Sequence, residues 1–310
     1  MNLRQLRTLV HIGELGSLSK AADRLHVAQP ALSRQIRALE EELGTALFTR
    51  HGRGMVLTQT GELLRERATN ILRQVEEARS DAISSTGWVR GNVVVGMPPT
   101  VADILAGRLA KDMMDLYPDV HVRFTAGFTS HLIDWLQRGS IDLAILYDPK
   151  TPGNLRIQPL LLEDLFLISP SAAKLSPRKA VPFERLAEEK FMLPGEPHSL
   201  RQLIERQAQK VDCELEVVME ADALSVLKDF VWLGLGSTIL PLPAVHKEIE
   251  EGALCAAPIK DPPLSRRLVL ATPTDRAISN AVLRISDLIQ EEVADMVKTN
   301  VWVGEPLQPG

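Results

Sequence analysis

The sequence predicts an α/β protein with an all-α segment at its N-terminus, and three observations lead to this fold class. Through about residue 58, apolar residues recur with the 3.6-residue period of amphipathic helices. One long helix is then predicted over residues 60–85. From residue 91 onward, short apolar strands alternate with helices, a pattern that indicates parallel sheets covered by helices on both faces.

Two short helices open the chain. The first covers residues 2–13, and Ser17 is a favourable N-cap for the second. In that second helix, Ala21 and Ala22 are small enough for close helix crossing. Residues 26–28 then form a turn. The inward positions expected in the first helix are Leu3, Leu6, Leu9 and Val10.

The third helix has an apolar stripe and a polar face. Pro30 suits a first helical position, where its missing N–H costs nothing, and Gly44 suits the position that ends a helix. The stripe consists of Leu32, Ile36, Leu39 and Leu43. Away from it, near the N-terminal half, lie Pro30, Ser33, Arg34 and Arg37. A helix with hydroxyl and guanidinium groups on its exposed face is suited to the DNA major groove.

A short hairpin follows, with strands at residues 47–50 and 55–57. Glycines flank Arg53 in its loop, so the loop could approach a phosphate backbone. Together these elements predict a winged helix-turn-helix over residues 1–58; an ordinary three-helix core with a surface hairpin is the alternative. We expect base contacts from Gln29 and Ser33 and backbone contacts from the hairpin. The full predicted DNA-binding set is Gln29, Pro30, Ser33, Arg34, Arg37, Arg50 and Arg53.

The long helix carries a possible coiled-coil seam within a linker over residues 59–87. Its apolar residues step by four and three positions, which is the spacing of such a seam. We therefore predict dimerisation through this helix, which would place two recognition helices on one side of a duplex. A lone helix packed on its own domain is the alternative. The predicted dimer contacts are Leu64, Ala68, Ile71, Val75 and Ala78.

The remaining chain, residues 88–310, is too long for one sheet of this kind, so we divide it into two α/β lobes. The first lobe holds about residues 91–165 and 266–300, and the second about residues 166–265. Ligands of open α/β sheets bind beyond the carboxyl ends of strands, where helix N-termini expose N–H groups. Hydroxyls and amides at such ends favour a small organic anion. The predicted effector contacts are Thr100, Thr129, Ser130, His198 and Ser199, with His131 as a weaker candidate.

Each candidate contact also has a plain structural explanation. The hydroxyls could serve only as N-caps, and His198 could be a loop histidine whose bonds are satisfied within the protein. The sequence lacks the nucleophile elbow, zinc-protease and phosphate-loop motifs of enzymes, so no catalytic role is expected, although an α/β enzyme with an attached DNA-binding domain remains an alternative. No cofactor or metal is expected, because Cys213 and Cys255 have no metal-ligand spacing. Two reduced thiols are the first interpretation and a redox switch the second.

Charge and hydropathy set further bounds. The chain carries a net charge of −5; residues 1–58 contribute +3, with eight Lys/Arg against five acids, which leaves −8 for the rest. Such a modestly basic N-terminal domain predicts weak binding by one copy and several copies used together. No apolar run approaches the roughly 18 residues of a membrane span. The N-terminus already belongs to an amphipathic helix, so we expect no secretory signal and a cytoplasmic protein.

The chain resembles the LysR-type transcriptional regulators over essentially its whole length. Four segments carry the resemblance: Gly16-Ser17-Leu18-Ser19-Lys20-Ala21-Ala22, Gln29-Pro30-Ala31-Leu32-Ser33-Arg34-Gln35-Ile36, Leu39-Glu40 and Leu47-Phe48-Thr49-Arg50. Within the family it is most similar to the branch of the nitrogen assimilation control regulators. The DNA-binding segment is the specific part of the resemblance.

The resemblance implies a two-lobed body like that of periplasmic solute-binding proteins, with an effector in the cleft between the lobes. It also implies effector contacts at Thr100, Thr129 and the His198-Ser199 region, a dimer of dimers on double-stranded DNA, and contact with RNA polymerase. The Pro98-Pro99 pair departs from the polar residues that many relatives have after the first strand. A transport-type solute-binding protein is a rival interpretation, but it explains nothing before residue 90.

Overall fold

The computed structural model describes residues 1–51, 54–83, 89–149, 153–196 and 198–307. Within these ranges it describes all side chains except those of Arg50, Glu77 and residues 80–83. The chain forms two compact units. The first contains residues 1–91 with 138–140, and the second residues 92–137 with 141–310.

Four helices and a hairpin form the first unit. Asn2 caps the first helix through a capping box with Gln5, Ser17 caps the second, and Gly44 ends the third in the left-handed conformation. The elements are α1 (Leu3–Leu15), α2 (Leu18–Leu25), α3 (Gln29–Leu43), β1 (Phe48–His51), β2 (Gly54–Leu57) and α4 (Gln59–Ile83).

The core of this unit follows the predicted apolar faces, with three corrections. Leu3 and Leu43 lie at helix ends and are 42% and 41% exposed, so neither belongs to the buried stripe. The third helix begins at Gln29, which makes Pro30 its second residue instead of its first. The buried apolar residues of the three helices are Leu6, Leu9, Val10, Ile12, Ala21, Ala22, Leu32, Ile36 and Leu39.

The hairpin is anchored on the end of α1. The backbone N–H of Met55 donates to the carbonyl oxygen of Gly16 at 2.9 Å. Gly54 has a φ of +137°, and a Cβ there would lie 2.4 Å from the same oxygen, so only glycine allows this approach. Arg53, at the predicted tip, lies outside the described residues.

The first half of α4 packs on its own chain. Ala68 is fully buried against α1, and Leu64 and Ile71 pack on the same core. Ala68 is thus taken up by the core of its own chain, whereas Leu64 and Ile71 are only partly covered, and a dimer contact through these three residues stays a prediction. α1 has 13 residues and α4 has 25, so the partner within the chain covers only part of α4. Further along, Val75 is 42% exposed and Ala78 is also exposed.

The second unit is built on a nine-stranded mixed sheet of order β4-β3-β5-β12-β6-β11-β7, with β10 and β13 also paired to β6. The strands of this unit are β3 (Gly91–Met97), β4 (Val120–Ala126), β5 (Leu143–Tyr147), β6 (Leu155–Pro170), β7 (Val181–Pro182), β8 (Lys190–Leu193), β9 (Glu216–Glu220), β10 (Thr238–Pro241), β11 (Leu254–Lys260), β12 (Ser265–Pro273) and β13 (Gly304–Pro306). β8 and β9 form a separate two-stranded sheet. The helices of this unit are α5 (Pro99–Leu116), α6 (Thr129–Arg138), α7 (Ser199–Lys210), α8 (Leu224–Trp232), α9 (His246–Glu250) and α10 (Asn280–Lys298).

The two-lobed α/β class is confirmed, but the expectation of parallel sheets is wrong. β6 pairs antiparallel with β10, β11, β12 and β13, whereas β3 with β5 and β8 with β9 are parallel. β6 has 16 residues, and the predicted lobe boundary at residue 165 falls inside it. Each lobe has its own apolar core, one around β8 and β10 and one around α6 and β5. Among the described residues, no helix is both long and apolar enough to cross a bilayer.

Candidate nucleic-acid interface and effector cavity

The exposed face of α3 presents two unengaged cations. Arg34 and Arg37 are both exposed. Among the described residues, neither guanidinium has an ion-pair partner. Other arginines of the same unit do form ion pairs, Arg24 with Glu14 and Arg65 with Glu62. Free guanidinium groups on one helix face can bind phosphate oxygens or guanine edges.

Three further predicted DNA contacts lie in the N-terminal part of α3. Gln29 is its exposed first residue, and its side-chain oxygen accepts a hydrogen bond from the Ser19 hydroxyl at 3.2 Å. Pro30 is exposed, and Ser33 is half-buried in a crevice beside Arg37. The side chain of Arg50 is not described, and Arg53 lies outside the described residues. The structure therefore gathers the α3 residues on one face but gives no geometry for the hairpin arginines.

A cavity of about 370 Å³ lies within the second unit. The first turns of four helices, α5, α6, α7 and α8, contribute to its lining. Helix N-termini carry unpaired N–H groups and a partial positive charge, so their convergence favours an anionic ligand. The five predicted effector contacts all line this one cavity: Thr100, Thr129, Ser130, His198 and Ser199.

Thr129 and His198 also have structural roles. The Thr129 hydroxyl accepts from the backbone N–H of Tyr147 at 3.3 Å and lies 3.5 Å from the Tyr147 carbonyl oxygen, which fixes the start of α6 against β5. Nδ1 of His198 accepts from the backbone N–H of Leu200 at 3.1 Å and so caps α7. A neutral imidazole with Nδ1 as acceptor carries its proton on Nε2, which can donate.

Burial and, to a smaller extent, the nearby charge of Arg266 lower the pKa of His198 to about 4, while Asp222 opposes the shift. The imidazole is therefore neutral near pH 7. The Phe128 ring meets it edge-on at 5.0 Å between ring centroids. His131 stacks on Phe128 at 5.9 Å between ring centroids but is not one of the described residues that line the cavity.

Much of the cavity wall is apolar, which the sequence did not indicate. The apolar lining consists of Pro98, Pro99, Phe128, Ile133, Pro149, Pro194, Leu200, Leu224, Leu227 and Leu240. The Pro98-Pro99 pair thus forms part of this wall. At the rim, Asp222 accepts from the backbone N–H of Gly195, and Asp148 lies 3.7 Å from Arg267. A ligand with an apolar body and one polar end fits such a lining.

Arg266 and Tyr147 are lining residues that sequence reasoning missed. Arg266 is only 3% exposed; one terminal nitrogen, Nη2, donates to the Tyr147 hydroxyl at 2.8 Å, and the guanidinium carbon lies 3.5 Å from the centroid of the Tyr147 ring. Its Nε donates to Glu163 at 2.5 Å. Burial would lower the pKa of Arg266, but Glu163 and Tyr147 together raise it, so the side chain stays charged. Nothing local distinguishes Arg266 from its exposed neighbour Arg267.

Neither cysteine has the features of a reactive thiol. Burial raises the pKa of both Cys213 and Cys255 above the ordinary value. The Cys255 thiol also donates to the carbonyl oxygen of Pro170 at 3.1 Å, which favours its protonated form. No set of three His, Cys, Asp or Glu side chains in the described part of the chain could hold a metal ion.

Two family models match the chain. Residues 3–62 match the bacterial regulatory helix-turn-helix protein of the lysR family, and residues 87–294 match the LysR substrate binding domain. The first covers α1 to α3 and the hairpin, and the second covers most of the unit that contains the cavity; residues 63–86, most of α4, lie between the two matches.

Curated relatives match over nearly the full chain. The HTH-type transcriptional regulator BbuR of Bordetella bronchiseptica is 29% identical, covering 98% of this chain and 94% of the relative. The nitrogen assimilation regulatory protein nac of Klebsiella aerogenes is 31% identical, covering 93% of this chain and 94% of the relative. A hydrogen peroxide-inducible genes activator of Pectobacterium carotovorum is 29% identical over 96% of this chain and 99% of the relative.

Solved structures also match nearly the full chain. A full-length OxyR variant from Pseudomonas aeruginosa has a TM-score of 0.73 at 26% identity and covers 94% of this chain and 98% of its own. CbnR in complex with its target DNA shares the fold, with a TM-score of 0.71 at 21% identity, 94% of this chain and 100% of that chain being covered. This chain therefore belongs to the LysR family: it is a transcriptional regulator with an N-terminal DNA-binding helix-turn-helix domain and a C-terminal effector-binding domain.

Proposed function

We propose that this regulator binds a dyad-symmetric DNA site as a homo-oligomer and that a small organic anion, bound in the cavity between the two lobes, changes how it binds. One observation carries the effector part of this proposal. Five residues from three separate stretches of sequence line a single cavity to which four helix N-termini contribute. Such an arrangement stabilises a carboxylate or a similar group.

On the DNA side, α3 is the recognition helix. Gln29 and Ser33 read base edges, and Arg34 and Arg37 contact bases or phosphates. Arg50 and Arg53 hold the phosphate backbone from the hairpin. Phosphate contacts give affinity on any sequence, whereas base-edge contacts give preference for one operator.

Oligomerisation is proposed through the second half of α4, where Val75 and Ala78 are exposed. Leu64, Ala68 and Ile71 support this surface from inside the chain, because they hold the first half of α4 against the DNA-binding unit. A charge of only +3 on residues 1–58 favours the joint use of several units, and we propose a dimer of dimers. A regulator of this kind works on DNA in the cytoplasm and contacts RNA polymerase.

Effector binding is proposed to change the arrangement of the two lobes. β6 and β12 are neighbouring strands of the nine-stranded sheet, and Arg266 on β12 lines the cavity. A ligand shifts such an equilibrium only as far as it binds the two arrangements with different affinity. We propose that the change alters the spacing of the paired recognition helices, and hence the bend of the DNA.

A gel-shift titration on a selected operator tests this proposal. Arg34→Ala is expected to weaken binding by about tenfold, because one charge-assisted contact is lost. Arg178→Ala, which removes an exposed arginine from the second unit, is the matched control and should bind like the wild type. The same titration is then repeated with a panel of small organic acids.

Two results would contradict the proposal. If Arg34→Ala bound the operator as tightly as the wild type, the proposed role of α3 in DNA binding would be contradicted. A regulator whose DNA complexes never change with any acid of the panel would remove the anionic effector.

A further inference from the structure

Glu163 is a fully buried carboxylate that lies directly behind the cavity wall. One of its oxygens, Oε2, accepts from Arg266 Nε. The other, Oε1, accepts from Trp302 Nε1 at 2.8 Å and lies 3.4 Å from the Tyr147 hydroxyl. Arg266 and Tyr147 line the cavity, whereas Glu163 and Trp302 are not among its described lining residues. We call these four residues the buried cluster.

The C-terminal segment, residues 302–307, is built into the sheet at this position. Trp302 is fully buried, and Gly304 pairs with Glu163 in the register of β13 with β6. A Cβ on Gly304, whose φ is +155°, would lie 2.2 Å from the carbonyl oxygen of Leu162, so the close approach of this segment requires glycine. The Leu307 N–H donates to the carbonyl oxygen of Leu160 at 3.1 Å.

The cluster leaves part of Arg266 available to a ligand. Its hydrogen bonds within the described residues use Nε and Nη2, so the second terminal nitrogen, Nη1, has no bond to a described residue. The side chain of Arg266 is 97% buried but lines the cavity. Its remaining N–H donors are therefore accessible only from the cavity. Its positive charge is offset by Glu163, and a carboxylate that entered the cavity would compete with Glu163 for it.

We propose that Glu163 and Trp302 are positioning residues of the effector cavity, which set the direction and the effective charge of Arg266 and so decide how strongly the cavity prefers a carboxylate over a neutral group. The inference rests on the proposed function for the existence of an effector. The inference adds that the C-terminal segment influences the ligand preference of the cavity through Arg266, although this segment does not line the cavity.

Two variants change the charge felt at Arg266 in opposite directions. Glu163→Gln keeps the shape of the side chain but removes the nearest counter-charge, so an entering carboxylate meets a cation that only the more distant Asp148 still offsets. Trp302→Phe keeps an aromatic ring but removes one hydrogen bond that Glu163 accepts. The Glu163 carboxylate then interacts more strongly with Arg266, so less of the positive charge of Arg266 is available to a ligand. Trp232→Phe makes the same substitution at an exposed position, 62% accessible, and is the matched control.

The experiment compares benzoate with benzamide, which differ in charge and little in shape, on the full-length protein by calorimetric titration. In Glu163→Gln, the ratio of benzoate to benzamide affinity is expected to rise about tenfold, as one charge-assisted bond implies. In Trp302→Phe, the ratio should fall about threefold, since a neutral donor to a carboxylate contributes less. Trp232→Phe should keep the wild-type ratio. A purely structural role would change thermal stability, or both affinities together, but not their ratio.

An unchanged ratio in Trp302→Phe would overturn the inference even if Glu163→Gln failed to fold. Binding of neither probe by the wild type and every folded variant would overturn it too, because the inference requires the donors of Arg266 to be reachable by a carboxylate in the cavity. In that case, operator binding that still responded to another acid would leave the proposed function intact.

Discussion

His198 serves the fold and the cavity with different atoms. Its Nδ1 caps α7 by accepting from Leu200, which leaves the Nε2–H to act as a donor. Because burial and Arg266 hold its pKa at about 4, this donor carries no charge at physiological pH. An effector response that depends on His198 should therefore be insensitive to pH between about 6 and 8.

The same shift makes a prediction about stability. The pKa of His198 is about 4 in the folded protein against an ordinary value of 6.5, so the unfolded chain binds more protons between these two pH values. The contribution of His198 to the free energy of unfolding is greatest above pH 6.5 and declines as the pH falls toward 4. His198→Asn keeps a capping acceptor and should lose less stability than the wild type between pH 7.5 and pH 5.

Denaturant unfolding at these two pH values measures the difference. His121→Asn, at an exposed position, is the control and should retain the wild-type pH dependence. An equal loss of stability in the wild type and His198→Asn would show that folding does not lower the pKa of His198.

The hydroxyl residues at the helix starts of the cavity could be predicted individually, but its cation could not. Thr100, Thr129 and Ser199 occupy the first two positions of helices that follow strands or loops, so local sequence marks them. Arg266 reaches the cavity only because β12 pairs with β6, and Glu163 holds it from a position 103 residues away. No short-range pattern contains that pairing.

At the scale of single elements, α4 has two halves with different partners. Its first half is covered by α1, and its second half, from about Val75, has exposed apolar side chains. The seam spacing is regular along both halves, so the sequence could not distinguish them. Because α1 is shorter than α4, only the first half of α4 can pack on α1.

Val75→Glu is therefore expected to weaken self-association, because a buried carboxylate at a helix–helix seam would face its own symmetry mate. We expect a rise of at least about tenfold in the dimer dissociation constant, measured by analytical ultracentrifugation. Leu63→Glu is the control: Leu63 is 57% exposed on a different face of the same helix and should leave association unchanged. Equal effects of the two substitutions would argue against a seam at Val75.

The strands divide in a similar way. Short apolar runs between helices predict strands, and β5 and β10 are fully buried as expected for such runs. β13 was missed, because Gly304–Pro306 has a glycine, a charge and a proline and pairs only as an edge on β6. Its pairing depends on the surface that β6 offers.

At the scale of the whole molecule, similarity to hydrogen peroxide-inducible genes activators raises the question of redox sensing. This chain has only two cysteines, and burial raises the pKa of each thiol. A thiol with a raised pKa has little thiolate at neutral pH, and the thiolate is the form that peroxide oxidises. We therefore expect operator binding to be unchanged by moderate hydrogen peroxide.

The Cys213→Ser/Cys255→Ser double variant tests this expectation in the same gel-shift assay. It should match the wild type with and without peroxide. A peroxide response of the wild type that disappears in the double variant would identify this chain as a thiol-based sensor and contradict the prediction.

Capping residues, the apolar faces of the helices, the polar face of α3 and the hydroxyls at strand ends all depend on residues within a few positions of each other, and sequence reasoning reached them for that reason. The antiparallel pairing of β6, the division of α4 and the Arg266–Glu163–Trp302 contacts join residues far apart in the chain. Only the folded structure decides them, because burial and charge neutralisation depend on which distant surfaces meet.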